Sequence, residues 1–390
     1  MEKLIESFIS RYLPREDVVH RLPLSVPIAA FWPKLAAARR ERAVELPLQE
    51  QNGNNFWFVL SPSIERQVDT ISAAARREWL LSPFLSEQLM ENAVIDEAVY
   101  SSMIEGAFTS RQQAEKLLRG SNAPANKSEQ MVKNNYDALT WVLSHLEEEI
   151  TADTLIQIAA ILTKDASDAP VTGFREGPVY VVGREGLIYT PPESAAVPGM
   201  VDSLLAFIRQ SSLHPVLKAS IVHFYFVYAH PFEDGNGRTA RALSLMLLLQ
   251  EGFDVFRTFS ISGIVAKERG RYYKAIRDVE EGEGDMTYFI DRYSDMLSRA
   301  VQGMEHQVRY HLMAQQRVEE LDKLGVLNER QLKGAQWLLG QEKEQITVDA
   351  WKKKYRTATE TARQDLLLLA EAGLLSRRME GRKAIFDILR

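Results

Sequence analysis

The segment HPFEDGNGRTAR at residues 230–241 brings together side chains that can do chemistry. His230 can act as a general base at neutral pH, because the ordinary pKa of an imidazole is about 6.5. Asp234 precedes a glycine-containing loop, where a carboxylate is a natural ligand for an Mg²⁺ ion that bridges two phosphates. The segment therefore predicts a proton acceptor and a metal ligand around one point.

Asn236 stands between Gly235 and Gly237, and this arrangement predicts an anion-binding loop. The glycines allow consecutive backbone N–H groups to point into one concavity, and a helix that starts around Arg238 adds its unsatisfied N-terminal donors. Arg238 and Arg241 lie one helical turn apart, so that both guanidinium groups can reach the same anion. We expect a site for more than one phosphate.

Each of these features also has a structural explanation: a tight turn for the glycines, solvation for the arginines, and a helix end for the histidine before proline. Their combination within one short segment favours a functional site. The pattern G-x-G-x-x-A at 235–240 also fits a dinucleotide-binding turn, but the preceding residues predict a helix and a loop where that turn requires a strand. The sequence has neither a P-loop pattern nor H-E-x-x-H.

Composition excludes several classes of protein. The 390 residues include 47 Lys and Arg against 53 Asp and Glu, a formal charge of -6, so the whole chain has no positive field for nucleic acid or acidic membrane. The absence of cysteine excludes disulfides, thiol nucleophiles and thiolate zinc sites. No apolar run approaches the ~18 residues of a spanning helix. We expect a cytoplasmic protein that does not contact membranes.

The elements that must position the segment are mainly helices, because apolar residues recur at three- and four-residue spacing through most of the chain. A helix ends at His230 and Pro231, since proline cannot continue it. Prolines interrupt residues 1–80, which we interpret as an N-terminal helical subdomain, although residues 56–60 could form a strand. Residues 173–192 predict a β-hairpin, whose turn is Gly-Arg-Glu-Gly at 183–186. The fold class is therefore all-α with one small hairpin.

The C-terminal residues 327–390 predict a helix, a short helix, a second helix and a two-stranded ribbon, which is the order of a winged helix. Residues 351–390 contain ten Lys and Arg and five acids, a local excess of +5. The candidate recognition helix, 358–375, and the ribbon carry polar and basic residues that could contact DNA. These include Thr357, Thr359, Thr361, Arg363, Gln364, Arg377, Arg378, Arg382 and Lys383. A solvated surface or a protein-docking role fits this charge almost as well.

The segment at 230–241 resembles the signature of the Fic (Fido) family, H-x-F-x-[DE]-G-N-G-R-x-x-R, and matches it at every specified position. The resemblance implies a helical Fic core and transfer of AMP from ATP to a hydroxyl of a target protein. It implies that His230 deprotonates that hydroxyl, that Asp234 holds Mg²⁺, and that Phe232 is a buried side chain that fixes the loop.

The same resemblance implies the nucleotide-binding residues. Asn236, with the backbone of Gly235 and Gly237, would bind the α- and β-phosphates. Arg238 and Arg241 would grip the phosphate tail. The cofactors implied are ATP as co-substrate and Mg²⁺.

Two further segments resemble parts of this family. Residues 179–192 look like the hairpin flap whose edge pairs with an extended segment of the target, although a hairpin that only covers the core has the same pattern. Residues 261–276 look like the helix of the base pocket, where Tyr273 or Tyr272 could pack against adenine. Aromatic pairs on helices are usually core residues, so this second interpretation stays open.

The helix at about 86–106 ends with a motif that resembles the inhibitory [ST]-x-x-x-E-[GN] of the family, here Ser101, Glu105 and Gly106. In relatives this glutamate pairs with the second arginine of the signature, here Arg241, and blocks the γ-phosphate. The motif precedes the signature, as in the subclass whose inhibitory helix is N-terminal. Relatives with this glutamate can also remove AMP.

We therefore expect an autoinhibited protein adenylyltransferase that acts on a Tyr, Thr or Ser hydroxyl of a protein docked on the flap. The alternative is a winged helix DNA-binding regulator whose Fic core senses nucleotide. The C-terminal module could equally bind a protein. A homodimer is also compatible with the sequence. The expected organisation is an N-terminal subdomain 1–94, a Fic core 95–290, a helical connector 291–326 and a winged helix 327–390.

Overall fold

The structure is a computed structural model that describes residues 2–76, 83–120, 123–183, 186–339, 345–381 and 383–388. The chain divides into two compact units. The first consists of Met1–Glu78 and Leu89–Val301, and the second of Trp79–Gln88 and Gln302–Arg390. The domain boundaries expected at 94, 290 and 326 stay predictions.

Most of the described chain is helical, as predicted. The helices are α1 Glu2–Arg11, α2 Arg15–Val19, α3 Ile28–Arg40, α4 Pro62–Ala75, α5 Pro83–Ile104, α6 Arg111–Arg119, α7 Lys127–Ser144, α8 Ala152–Thr163, α9 Val197–Gln210, α10 Pro215–Ala229, α11 Asn236–Gln250, α12 Ile261–Lys267, α13 Arg269–Glu280, α14 Thr287–Lys323, α15 Glu329–Leu339, α16 Val348–Tyr355 and α17 Thr359–Glu371. The strands are β1 Val44–Gln49, β2 Asn55–Phe58, β3 Val181–Gly183, β4 Gly186–Tyr189, β5 Gln345–Thr347, β6 Leu375–Glu380 and β7 Lys383–Ile388.

Two central helices, α10 and α11, form the middle of the first unit. Nearly every residue of α10 is buried, and α11 is buried on most of its surface. Helix α10 packs against α9 and α11, and α11 packs against α7 and α8. A helix that is apolar on all sides belongs in the interior, which explains the run HFYFVYA before the signature segment. The loop between these two helices is thus held from both ends by the core.

The N-terminal part of the first unit is not purely helical, contrary to our interpretation of residues 1–80. Strands β1 and β2 form an antiparallel hairpin in which Val44 pairs with Phe58. Leu46 and Leu48 are buried while their neighbours face outward, the alternation of a half-buried strand. The strand suggested at 56–60 exists as β2, and its partner was missed because Pro47 obscured the pattern.

The second unit contains a small sheet. Its three strands lie in the order β5-β7-β6 and are antiparallel. Trp351 is completely buried in the core of this unit, and its Nε1 donates to the buried Asp365 at 3.0 Å. Arg330 donates to the same carboxylate at 2.8 Å. The predicted order of helices and ribbon agrees with these elements, strand β5 is additional, and the winged helix assignment stays a prediction.

None of the described helices has the length and apolar character needed to cross a membrane.

Candidate active site

The signature segment forms the loop between α10 and α11. Helix α10 ends at Ala229, and His230 follows it in the left-handed region with φ 49°. Helix α11 begins at Asn236, two residues before the predicted start, because Gly235 with φ 82° serves as its N-cap. At position 235, a residue with a side chain would be strained at this φ of 82°. The loop thus presents His230 and the N-terminus of α11 together, as predicted.

The hydrogen bonds of His230 suit it to accept a proton. Its Nδ1 lies 3.1 Å from the carbonyl oxygen of Val227, and since a carbonyl can only accept, Nδ1 carries the proton. The lone pair of Nε2 is therefore available. Burial lowers the pKa of His230, and the nearby Arg175 guanidinium acts in the same direction. The imidazole is consequently neutral at neutral pH, the form that a general base requires.

The Asn236 side chain closes the loop. Its Oδ1 accepts from the backbone N–H of Phe232 at 3.0 Å, and its Nδ2 donates to the Phe232 carbonyl at 2.8 Å. Phe232 is fully buried, as expected from the resemblance, and its ring stacks on Phe174 with centroids 5.7 Å apart. Both ends of the Asn236 amide are used in this way. Its contribution to an anion site would come from its backbone N–H at the helix N-terminus, where the first amides lack intrahelical acceptors.

Asp234 and Arg238 form an ion pair at the edge of the loop. Asp234 Oδ1 accepts from the backbone N–H of Gly235 at 2.5 Å and from Arg238 Nη2 at 3.1 Å. Arg238 is buried, and its Nη1 donates to the carbonyl of Leu162 at 2.8 Å. Burial would raise the pKa of Asp234, but Arg238 and the other donors lower it below its ordinary value. Arg238 thus supports an ionised Asp234; its expected grip on the phosphate tail stays a prediction.

The Asp234 carboxylate fits the requirements of Mg²⁺. Its side chain is 43% exposed and stays charged at neutral pH. Among the described residues, no group of three or more His, Cys, Asp or Glu is arranged to hold a metal ion. A single carboxylate that shares the ion with nucleotide phosphates is the usual arrangement for Mg²⁺.

Glu105 binds the second arginine of the segment, as the resemblance implies. Helix α5 ends at Ile104, and Glu105 Oε1 accepts from Arg241 Nη2 at 2.9 Å. Ser101 holds the same guanidinium: its Oγ accepts from Arg241 Nε at 2.9 Å and its carbonyl from Nη2 at 3.0 Å. Gly106 follows in the turn after α5, with its N–H bonded to the Met103 carbonyl.

The Glu105 carboxylate also covers the N-terminus of α11. A Cβ at Gly237 would collide with Glu105 Oε1 and lie 3.3 Å from Arg241 Nη1, so the carboxylate sits directly on this glycine. Arg241 Nη1 is buried and has no hydrogen-bond partner among the described residues. Burial would lower the pKa of Arg241, but the Glu105 charge raises it. One anion, supplied by the chain itself, therefore lies against Gly237 and Arg241.

The two tyrosines proposed for the base pocket differ in exposure. Tyr272 is buried, and its hydroxyl lies 2.8 Å from Nε2 of the buried His223. This makes Tyr272 a core residue, the structural explanation that the sequence left open. Tyr273 is 38% exposed and lies under the guanidinium of Arg269 at 5.5 Å. Tyr273 is thus the one of the two with a face available for packing against a base.

The predicted flap is an antiparallel hairpin of β3 and β4, in which Val181 pairs with Tyr189. Arg184 and Glu185, predicted as its turn, lie outside the described residues. The Tyr189 hydroxyl donates to the carbonyl of Tyr228 on α10 at 2.8 Å. The flap therefore joins the core near the end of the helix that leads to the loop.

Sequence analysis missed Arg175, which is 4% exposed and lies between the flap and the loop. Its Nε donates to the His230 carbonyl at 2.7 Å and its Nη1 to the Gly177 carbonyl at 3.0 Å. In the sequence it is one arginine in GFREGP, and no spacing or charge pattern marks it as buried. Its position is set by long-range packing.

Known proteins are similar to this chain over part of its length. Residues 149–248 match the sequence model of the Fic/DOC family. A probable protein adenylyltransferase of Aquifex aeolicus is 26% identical over 207 residues, which is 51% of this chain and 58% of that protein. The protein adenylyltransferase Fic of Drosophila virilis is 34% identical over 119 residues, 29% of this chain and 22% of that protein. The chain thus spans less than two thirds of these relatives.

Solved structures share the fold. A Fic family protein from Desulfovibrio desulfuricans superimposes with a TM-score of 0.56 at 17% identity, covering 85% of this chain and 97% of that one. Fic-1 from C. elegans gives a TM-score of 0.51 at 21% identity, covering 63% of this chain and 70% of that one. The predicted mostly helical Fic fold with a small hairpin is therefore confirmed. The chain thus has the Fic fold, matches the Fic/DOC family over residues 149–248, and is distantly similar to protein adenylyltransferases over part of its length.

Proposed function

We propose that this protein is an autoinhibited, Mg²⁺-dependent protein adenylyltransferase that transfers AMP from ATP to a Tyr, Thr or Ser hydroxyl of a target protein. The observation that carries the proposal is that a neutral His230, with Nε2 available, lies beside the first two turns of α11, which contain Arg241. The similarity to protein adenylyltransferases supports the same activity.

The reaction is an in-line displacement at the α-phosphorus. His230 Nε2 takes the proton of the target hydroxyl, whose oxygen forms a bond to the α-phosphorus while the bond to the β-phosphate oxygen breaks and pyrophosphate leaves. The backbone N–H groups at the start of α11 stabilise the charge that develops on the phosphate oxygens. Mg²⁺ bound by Asp234 would supply further positive charge to these oxygens.

Inhibition follows from competition for one guanidinium group. Glu105 lies on Gly237 and takes a hydrogen bond of Arg241, where the phosphate tail would otherwise bind. Arg241 is buried, so the nucleotide must replace the carboxylate to satisfy the cation, and charge-assisted bonds of this kind are the strong ones. Basal transfer should therefore be low.

The target would dock on the flap. A hairpin edge beside the loop can pair with an extended peptide through main-chain hydrogen bonds, which would bring a hydroxyl of that peptide towards His230. Strands β3 and β4 are short and form a two-stranded sheet of their own, so each has an unpaired edge within that sheet. The identity of the target is set by side chains on both partners.

The DNA-binding alternative has less support. Arg378 on β6 bonds with Asp387 at 2.9 Å and pairs with Glu380 at 3.5 Å. Arg363 on α17 pairs with Glu360 at 3.6 Å. Both arginines are thus paired with acids of the same module, which a phosphate would have to displace; Arg382 lies outside the described residues. DNA retention that falls with salt and is lost on replacing Arg378 would favour it.

The test uses Glu105→Gly with Mg²⁺, a cell lysate, and ATP labelled at either the α- or the γ-phosphate. We expect protein to retain the α label only, and retention to disappear in Glu105→Gly/His230→Ala. Retention of the γ label instead would mean phosphoryl transfer and would contradict the proposal. Absence of both labels from all acceptors would contradict it as well.

A further inference from the structure

The guanidinium of Arg175 joins three parts of the first unit. It donates to the carbonyl oxygens of His230 at 2.7 Å and Ala229 at 3.5 Å, which belong to the end of α10 and the start of the loop. It also donates to Gly177 at 3.0 Å and to Pro192 through a short bond. Gly177 precedes strand β3 and Pro192 follows strand β4, and we call these two ends of the hairpin the flap stems. One side chain thus binds both flap stems and the backbone of His230.

The backbone of Arg175 strengthens this connection. Its N–H donates to the carbonyl of Pro231 at 2.9 Å, directly after His230. A second link lies further along the flap, where the Tyr189 hydroxyl donates to Tyr228 at 2.8 Å. The loop is therefore bonded to the flap stems on both sides of His230.

Only an arginine can satisfy this set of acceptors. Its planar group offers five N–H donors in a fixed arrangement, whereas a lysine offers three from a single atom. Each carbonyl left without a donor in a buried place costs about 1–3 kcal/mol. The group stays in place because several bonds would have to break together for it to move.

We propose that Arg175 is a positioning residue that holds the flap stems and His230 in one fixed relation, so that a peptide paired with the flap presents its hydroxyl to Nε2. This inference rests on the proposed transfer reaction. The hydrogen bonds of Arg175 go to main-chain carbonyls at the end of α10, in the loop and on either side of the flap strands. It acts through the target, not through the nucleotide.

The expected effect is confined to the rate of transfer. A shift of the docked hydroxyl by about 1 Å can lower a rate on the order of 100-fold, because the reacting atoms leave their productive geometry. The half-saturating concentration of ATP should not change. A protein that is simply less stable would also lose maximal rate at unchanged half-saturating ATP, so the rates must be compared per folded molecule.

The experiment compares Arg175→Lys with Arg39→Lys, both in the Glu105→Gly background. Arg39 is a matched control: it is buried in the same unit and donates to main-chain carbonyls of Phe8 and Leu13. We measure thermal stability, the maximal rate and half-saturating ATP for label incorporation into a lysate, and amide hydrogen exchange of the flap. Tyr189→Phe, which removes one hydroxyl, is the milder second variant if Arg175→Lys does not fold.

We expect Arg175→Lys to lower the maximal rate by about 10- to 100-fold at unchanged half-saturating ATP, and to speed amide exchange in the flap. Arg39→Lys should lower stability and leave both quantities per folded molecule as they were. Tyr189→Phe should act like Arg175→Lys to a smaller extent. Equal rates and equal flap exchange in the two lysine variants would overturn the proposal.

The pH profile gives a second readout. Burial and Arg175 lower the pKa of His230, whereas the Val227 hydrogen bond, Glu105 and Asp234 raise it, and Glu105 is absent from the Glu105→Gly background. Arg175→Gln removes the cation, so the pKa of His230 should rise and the acid limb of the rate should move to higher pH; Arg175→Lys should leave it in place. Glu105→Gly could transfer no label while amide hydrogen exchange in the flap still differs between the two lysine variants. In that case the proposed function fails, but the connection that Arg175 makes between the flap stems and the loop stands.

Discussion

His230 shows how the backbone prepares a single residue for its task. Its left-handed conformation ends α10, and the bond from Nδ1 to Val227 fixes the tautomer. Because the carbonyl of Val227 is itself part of α10, the ring orientation is determined before any substrate binds. The residue is thus both the end of a helix and the candidate base.

The pH dependence of transfer should reflect the burial of His230. Burial lowers the pKa, so the neutral base persists to lower pH, and the rate should fall only below the ordinary value of about 6.5. Glu105→Gly, which is the variant to assay, also removes a carboxylate that raises this pKa. Its acid limb in the pH–rate profile should therefore lie at still lower pH. Initial rates of label incorporation from pH 5 to 8 measure it. An acid limb centred above 6.5 would contradict the account.

The Asn236 side chain should contribute to the stability of the fold and not to direct binding of phosphate. Asn236→Ala leaves the N–H and carbonyl of the buried Phe232 without partners, and each such group costs about 1–3 kcal/mol. We expect a clear loss in the free energy of unfolding, measured with denaturant. If Asn236→Ala instead keeps its stability and loses only nucleotide affinity, the side chain binds phosphate directly and our assignment is wrong.

Residue types and spacing predicted much of this site. The positions of His230, Asp234 and the buried Phe232 follow from the signature and from the helix ends. The inward direction of the Asn236 amide and the burial of Tyr272 do not, because both depend on side chains that meet across the core. Neither leaves a periodic pattern in the local sequence.

At the scale of elements, two helix ends meet. The C-terminal end of α5 brings Ser101 and Glu105 to the first two turns of α11, where Gly237 and Arg241 lie. Apolar periodicity predicted both helices. The hairpin of β1 and β2 escaped prediction because short strands interrupted by proline resemble loops. The pairing of α5 with α11, over a hundred residues apart, followed from the resemblance and could not follow from periodicity.

Two substitutions of Glu105 should separate the effect of its charge from the effect of the space that its side chain fills. Glu105→Gln keeps an acceptor and the volume but loses the charge, whereas Glu105→Gly clears the space on Gly237. We expect ATP affinity to rise in both, more in the glycine variant, because one charge-assisted bond is worth about 1.5–3 kcal/mol. Calorimetric titration in the presence of Mg²⁺, with an ATP analogue that cannot be cleaved between the α- and β-phosphates, measures the dissociation constants. Equal affinities in all three proteins would show that Glu105 does not compete with nucleotide.

At the scale of the whole molecule, the chain forms two compact units with separate cores. The second unit depends on the buried carboxylate of Asp365, which binds Arg330, Gln331 and Trp351. Burial alone would raise the pKa of Asp365, but these donors lower it below the ordinary value. The stability that it contributes is thus present above about pH 4, the unfolded pKa, and is lost as pH falls through the lower folded value.

Asp365→Ala should destabilise the second unit selectively. The substitution leaves the buried Trp351 Nε1 without its acceptor, which costs about 1–3 kcal/mol, and it leaves Arg330, whose side chain is 34% exposed, without its partner. Calorimetry should show one transition at lower temperature and a second one unchanged. A uniform shift of a single transition would mean that the two units unfold together.

The measurement that tests the central claim most directly is the incorporation of α-labelled ATP by the wild-type protein, Glu105→Gly and Glu105→Gly/His230→Ala, side by side with Mg²⁺ and a lysate. The account predicts little label with the wild type, much more with Glu105→Gly, and none with the double variant. Equal incorporation by the wild type and Glu105→Gly would contradict autoinhibition. Label that persists without His230 would contradict its role as the base.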